Sequence, residues 1–129
     1  MMMLEPVALL NACESLTEYW SPRIIGRVND SFVKVAKVKG EFVWHKHDDE
    51  DEMFLVLRGR LVIEFEPGFS PRGHVVLRGG DFFVVPKNTM HRPSADDECF
   101  IALLEPVTTK HTGELVTDRT RTIEQQLGV

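Results

Sequence analysis

Three histidines and one glutamate stand out for what they could do together: His45, His47, Glu52 and His91. Neutral imidazole nitrogen and carboxylate oxygen suit divalent iron, manganese, nickel, copper or zinc. Val43, His45 and His47 alternate with Trp44 and Lys46, the period-two pattern of a strand, so both rings are expected on one face. An acidic turn, Asp48 to Asp51, follows, and Glu52 opens an apolar run, Met53-Phe54-Leu55-Val56-Leu57. A hairpin between the two runs would bring Glu52 beside the imidazoles. Alone, a His-x-His on a strand is more often an ordinary pair of side chains, and an acidic turn is more often a solvated loop. A second piece shifts the balance: Gly79-Gly80-Asp81-Phe82-Phe83-Val84-Val85-Pro86-Lys87-Asn88-Thr89-Met90-His91, in which a glycine turn, an apolar strand and a proline loop deliver another histidine.

The two segments together resemble the two sequence motifs of the cupin superfamily. In the first motif a His-x-His is followed, after four residues, by Glu and, after six more, by Gly; His45, His47, Glu52 and Gly59 fit. In the second, Gly, five residues, Pro, a small residue and His are matched by Gly80, Pro86, Asn88 and His91. Three positions depart from the pattern. Gly40 lies one residue closer to His45 than usual, Asn88 replaces a glycine, and Ala95 stands where Asn is common. Asn tolerates the left-handed backbone such a turn can require, and none of the three is a ligand position. The resemblance implies an all-β fold, a double-stranded β-helix or jelly-roll barrel over residues 22–107. A helical arm over 1–21 would precede it and a tail over 108–129 would follow. It also implies metal ligation by His45, His47, Glu52 and His91.

Placing those four on the inner wall of a small barrel poses a physical problem. Each buried polar group left unsatisfied costs about 1–3 kcal/mol, and an unpaired carboxylate costs more. Neighbouring positions such as Val43, Phe54, Val56, Ile63, Phe65, Phe83 and Val85 offer few partners. A divalent transition metal would satisfy all four; a wet cavity is the alternative. Three nitrogens and one oxygen leave room in an octahedral shell for water, dioxygen or a chelating ligand, and the lack of a thiolate disfavours a closed structural zinc site. Three functions remain open. The first is a metal-dependent enzyme of oxygenase or Lewis-acid type acting on a small, mostly apolar ligand. The second is a non-catalytic small-molecule or metal sensor. Ranked lower is a sugar isomerase or epimerase, because Arg58, Arg60, Arg78 and Arg92 are all expected at turns rather than in the pocket. Glu52 is the one candidate base; His74, His111 and Glu105 are expected to be surface or structural, and Tyr19 is expected to lie in the helix.

The elements that must position these residues follow from pattern. At 129 residues with 43% hydrophobic content, the chain suits one domain with a sizeable core. A net charge of −5 argues against nucleic acid or an anionic membrane as partner. The start, Met1 to Pro6, shows neither a basic region nor a sustained apolar run, so a cytoplasmic location is expected. Cys13 and Cys99 are then expected to stay reduced. Glu5 to Tyr19 reads as an amphipathic helix with a stripe of Leu9, Cys13, Leu16 and Trp20, ended by Ser21-Pro22. Strands are expected at 23–28, 32–38, 53–57, 61–63, 74–77, 82–85 and 98–104. Lys34, Lys37 and Lys39 are expected to form a solvated face. Met53–Leu57 and Leu61–Ile63 are apolar on both parities, which requires cover on the outer face by the helix or by a second subunit; a homodimer is expected. The threonine-rich tail is expected to be a surface strap, with a role over the pocket mouth as the lesser alternative.

Overall fold

A computed structural model describes residues 5–128; Met1 to Leu4, part of the stretch read for an export signal, and Val129 lie outside the described residues. The elements are α1 (Leu9–Glu14), β1 (Arg23–Val28), β2 (Ser31–Glu41), β3 (Glu52–Arg58), β4 (Arg60–Phe65), β5 (His74–Arg78), β6 (Phe82–Val85), β7 (His91–Pro106) and α2 (Ile123–Gln126). All strand pairings are antiparallel. The order runs β1-β2-β7-β3-β6, and β7 also carries β4, which in turn carries β5.

β7 explains the shape. Its 16 residues pair first with β4, from Val62↔Ser94 to Phe65↔His91, then with β2 on one side and β3 on the other. One strand therefore belongs to both walls and rolls the sheet into the expected jelly-roll barrel. Between β3 and β4 the chain reverses at Gly59, whose φ is +100°; a Cβ there would lie 3.1 Å from the Cys99 Cα and from the Glu98 carbonyl oxygen. Only glycine lets this turn close against β7.

The strands sort their side chains with period two. Ala36, Val38, Phe54, Val56, Leu61, Ile63, Phe65, Ile101 and Leu103 fill the barrel. On the other face Val35, Phe100 and Ala102, with half-buried Leu55 and Leu57, pack against Cys13 and Leu16. The N-terminal segment is thus the outer cover that the doubly apolar β3 requires. Both cysteines are free and buried, and burial pushes each thiol up to about 11. Among the described residues no helix is long and apolar enough to cross a membrane.

Several expectations need correction. The helix occupies Leu9–Glu14, not Glu5 to Tyr19. It has no side-chain N-cap, and its continuation is pulled away by sheet contacts: Tyr19 bridges to Lys37, and the Trp20 N–H donates to the Lys37 carbonyl at 2.9 Å. Tyr19 therefore lies outside the helix, its hydroxyl donating to Glu98. Lys34 does not share a face with Lys37 and Lys39. Parity sets it with Ala36 and Val38, so it points inward and is 1% exposed. The last strand begins at His91 rather than residue 98. Arg92 sits within it, not at a turn, and its guanidinium meets Glu41 and Glu64. The tail is more than a surface strap, because Thr109, Thr112 and Gln126 are buried.

Candidate metal centre

The segment carrying His45 and His47 is extended but belongs to no strand. It meets the start of β7 through one isolated bridge: the His45 N–H donates to the His91 carbonyl at 3.0 Å, and the His91 N–H returns to His45 at 2.9 Å. Asn88 N–H donates to the His47 carbonyl at 2.6 Å. The expected hairpin with β3 does not form, because the backbone groups that would pair with it are engaged by the second motif. Glu52 instead arrives as the first residue of β3, opposite Val85 of β6. The acidic turn ties the motifs together, since the Lys87 N–H donates to the Asp51 carboxylate at 2.8 Å. Asn88 adopts φ 59°, the left-handed conformation for which Asn substitutes acceptably in a glycine position.

The four side chains converge. One ligand atom from each of His45, His47, Glu52 and His91 lies within 4.8 Å of the others, and all four residues are buried. Glu52 Oε1 stands 3.4 Å from His47 Nε2 and 3.5 Å from His91 Nε2. The second nitrogens of two rings face carbonyls: His45 Nδ1 lies 2.9 Å from Val43 O, and His91 Nδ1 lies 2.8 Å from Thr89 O. A carbonyl only accepts, so each Nδ1 carries the proton and each Nε2 presents a lone pair to the centre, as a metal-binding imidazole requires.

Charge alone does not settle the cluster. Burial, then the neighbouring His91, lowers the His45 pKa to about 4. Burial works against protonation of His47 too, but Glu52 outweighs it and raises that ring. Burial likewise opposes ionisation of Glu52, yet His47 and His91 hold its carboxyl well below the usual range. Even so, His47 Nδ1 and Nε2, His91 Nε2 and Glu52 Oε1 are buried without a hydrogen-bond partner. Orphans of this kind cost about 1–3 kcal/mol each. Three imidazoles and a carboxylate aimed at one point are a donor set able to coordinate a divalent transition metal.

A cavity adjoins the cluster. It is lined by Ala36, Val38, Phe42, Phe54, Ile101 and Leu103, by Trp20, Pro22 and Pro93, and by His45, Glu52 and His111. Of the apolar positions expected around the ligands only Phe54 lines it; Val56, Ile63, Phe65 and Val85 pack in the core. The space open to water centres is ≈ 30 Å³, room for about two waters. Trp20 stacks on Phe42 at 4.8 Å, and the His111 ring lies 5.1 Å from Phe42. His111 is the residue that pattern missed. It comes from the polar tail with no periodicity around it and no second ligand at a telling spacing. Of the other residues expected to be surface or structural, His74 is exposed and Glu105 is buried beside Lys34.

A family model for the cupin domain matches residues 31–104, more than half of the chain. The chain belongs to the cupin family. Among solved structures, this cupin superposes on a cupin-2 domain containing protein from Shewanella frigidimarina with a TM-score of 0.71 and 39% identity, covering 78% of this chain and 93% of that one. It is 43% identical over 68 residues to the protein YdbB of Bacillus subtilis (strain 168), a match spanning 53% of this chain and 57% of YdbB, little more than half of that relative's length. A hydroquinone 1,2-dioxygenase from Sphingomonas sp. TTNP3, in complex with 4-nitrophenol, shares the fold at TM-score 0.67 and 21% identity, covering 78% of this chain and 32% of that one.

Proposed function

We propose that this cupin holds one divalent transition metal through His45, His47, Glu52 and His91 and uses it to bind a small ligand in the adjoining apolar cavity, as an oxygenase-type or Lewis-acid enzyme. The observation that carries this reading is the set of buried, partnerless donor atoms beside an otherwise apolar space. A bound ion would supply Lewis acidity or oxygen activation. The chain's own residues do the rest. Val43 and Thr89 orient two rings by accepting from Nδ1, and Trp20, Phe42 and Phe54 exclude bulk water. Glu52, kept ionised by two histidines, is the candidate base.

A non-catalytic sensor or metal-binding module is the second reading, favoured by the small volume of the cavity. A phosphosugar isomerase draws less support, since no Arg or Lys is among the described residues lining the cavity. Exposed Phe82 and Val84 on β6 favour a homodimer, which sedimentation would test. A cytoplasmic location, and partners other than nucleic acid or membrane, complete the reading.

Elemental analysis of protein purified without a histidine tag is expected to find about one divalent ion per chain. Folded protein that stays metal-free in metal-replete buffer overturns the assignment. A dioxygen-uptake screen against catechols, flavonols and diketones separates enzyme from binder; turnover of none of them leaves the sensor reading standing.

A further inference from the structure

We propose that His111, carried by the C-terminal tail, donates a hydrogen bond from its Nε2–H to a two- or three-atom ligand, dioxygen or a small anion, held in the cavity beside the metal cluster. This rests on the metal assignment above and adds to it a residue that is not itself a ligand to the ion.

The tautomer follows from geometry. The backbone N–H of Arg121 donates to His111 Nδ1 at 2.9 Å, so that nitrogen offers its lone pair and the neutral ring must carry its proton on Nε2. Among the described residues no hydrogen-bond partner engages that Nε2. The other polar groups lining the cavity are committed. The Trp20 indole N–H donates to Lys39 O at 2.7 Å, His45 Nδ1 is taken by Val43, and Glu52 faces the cluster. An electronegative atom in this space therefore has one free protein donor, His111. The rest of the lining is mostly carbon, and a donor in such surroundings acts more strongly than one in water.

The tail is built to hold that ring still. A Cβ on Gly113 would lie 2.0 Å from the carbonyl oxygen of Lys46, the residue between His45 and His47. The tail backbone is thus pressed against the ligand-bearing segment at a place where only glycine fits. The buried Thr112 hydroxyl engages Thr120 Oγ1 at 2.6 Å and the Leu115 carbonyl, and Arg121 reaches Ser21 and Glu18 of the N-terminal segment. Size selects the ligand class. Room for about two waters suits dioxygen or a triatomic anion.

Azide is a suitable probe, being triatomic, anionic and able to accept a hydrogen bond. The full chain is loaded with cobalt(II), its visible band calibrates uptake, and azide is titrated while its asymmetric stretch is followed in the infrared. Replacing His111 by Phe is expected to leave cobalt content unchanged, weaken azide about tenfold and shift the stretch. His111→Gln, which keeps an amide donor, is expected to stay within about threefold of the parent. Should the Phe variant not fold, His111→Ala is the donor-free form. Equal azide affinity in the donor-free variants and the parent overturns the role of His111, as does a cobalt-loaded parent that binds no azide. Loss of cobalt from all His111 variants also overturns it, by making the ring part of the metal site itself. A parent that takes up no cobalt is a different failure, that of the metal assignment.

Discussion

Two groups of polar side chains are buried inside this barrel, and they are finished differently. Lys34 of β2 and Glu105 of β7 approach to 3.6 Å, and Lys34 Nζ donates to Gln126 of α2, whose amide donates in turn to the Arg121 carbonyl. This group closes largely on the chain itself, though Glu105 also meets Glu52, which together with burial holds the Glu105 carboxyl well above its usual range. The histidine–glutamate cluster, buried as deeply, leaves four atoms without partners. A buried polar group that closes on itself specifies structure; one left open in the same wall specifies a ligand. The first pins the tail to the barrel, and the second brings together four donor residues able to coordinate a divalent ion.

If that distinction holds, the largest effect on folding should come from the satisfied group. Lys34→Met leaves Gln126 Oε1 and the Glu105 carboxyl without their buried partner and is expected to cost about 1–3 kcal/mol for each in chemical denaturation. Metal content per folded chain should not change. The double variant Lys34→Met, Glu105→Leu removes both partners and is expected to recover most of that loss. Metal loss in Lys34→Met would mean that the two groups are one site.

The open group is expected to behave in the reverse way. His47→Ala or His91→Ala should abolish most metal binding while costing the metal-free protein little. In the parent, metal at a hundredfold excess over its Kd adds about 2.7 kcal/mol, which appears as a fall in Tm on adding a chelator. The variants are expected to show no chelator-dependent shift. A variant that keeps that shift still holds its ion, and the residue replaced is then no ligand.

Acid offers a third contrast. In the metal-free protein the His45 pKa is about 4 and that of His111 about 3, both lowered chiefly by burial. A folded pKa below the unfolded one means that the unfolded chain binds the proton first, so stability is lost as pH falls from about 6.5. His47 is raised and acts oppositely, contributing stability below about 6.5 that is lost as pH rises. Glu105, held well above the usual carboxylate range by burial and by Glu52, also opposes the two rings, so the contribution of one ring is read as a difference: His111→Phe is expected to lessen the fall in stability from pH 7 to pH 5 in denaturant melts. Metal affinity should fall over the same range, because imidazole must be neutral to coordinate. An equal fall in the parent and in His111→Phe would mean that His111 is not buried in its neutral form.

The contrast between the two groups also shows what a sequence can disclose. His45, His47, Glu52 and His91 were legible because each lies at a fixed distance from glycines and a proline that shape the backbone, so local spacing implied convergence. The strands were legible from alternation, and the doubly apolar β3 correctly required an outer cover. Lys34 was not, because three lysines in one strand suggest solvent unless parity is followed strictly through Ala36 and Val38. His111, Glu105 and Gln126 were hidden for a different reason. Their partners are set by where a tail without hydrophobic period comes to rest, and only tertiary packing decides that. The helix fell short of its amphipathic pattern for the same cause, as contacts from Tyr19 and Trp20 to β2 outweighed local propensity.

The smallest effect belongs to the loop that joins the motifs. Asn88 holds φ 59°, accepts from Lys46 Nζ through its side chain at 2.9 Å, and donates its N–H to His47. Asn88→Gly would relieve the cost of a side chain in the left-handed region, about 1 kcal/mol or less. It would also give up an exposed hydrogen bond of comparable or smaller worth. The backbone bond to His47 needs no side chain, so His47 should keep its place. The expected result is a stability within about 0.5 kcal/mol of the parent, with metal content unchanged. Asn88→Val, whose branched side chain resists positive φ, should instead destabilise the loop and lower metal affinity. If Gly and Val behave alike, the conformation at residue 88 does not position His47, and the open group is held by β3 and β7 alone.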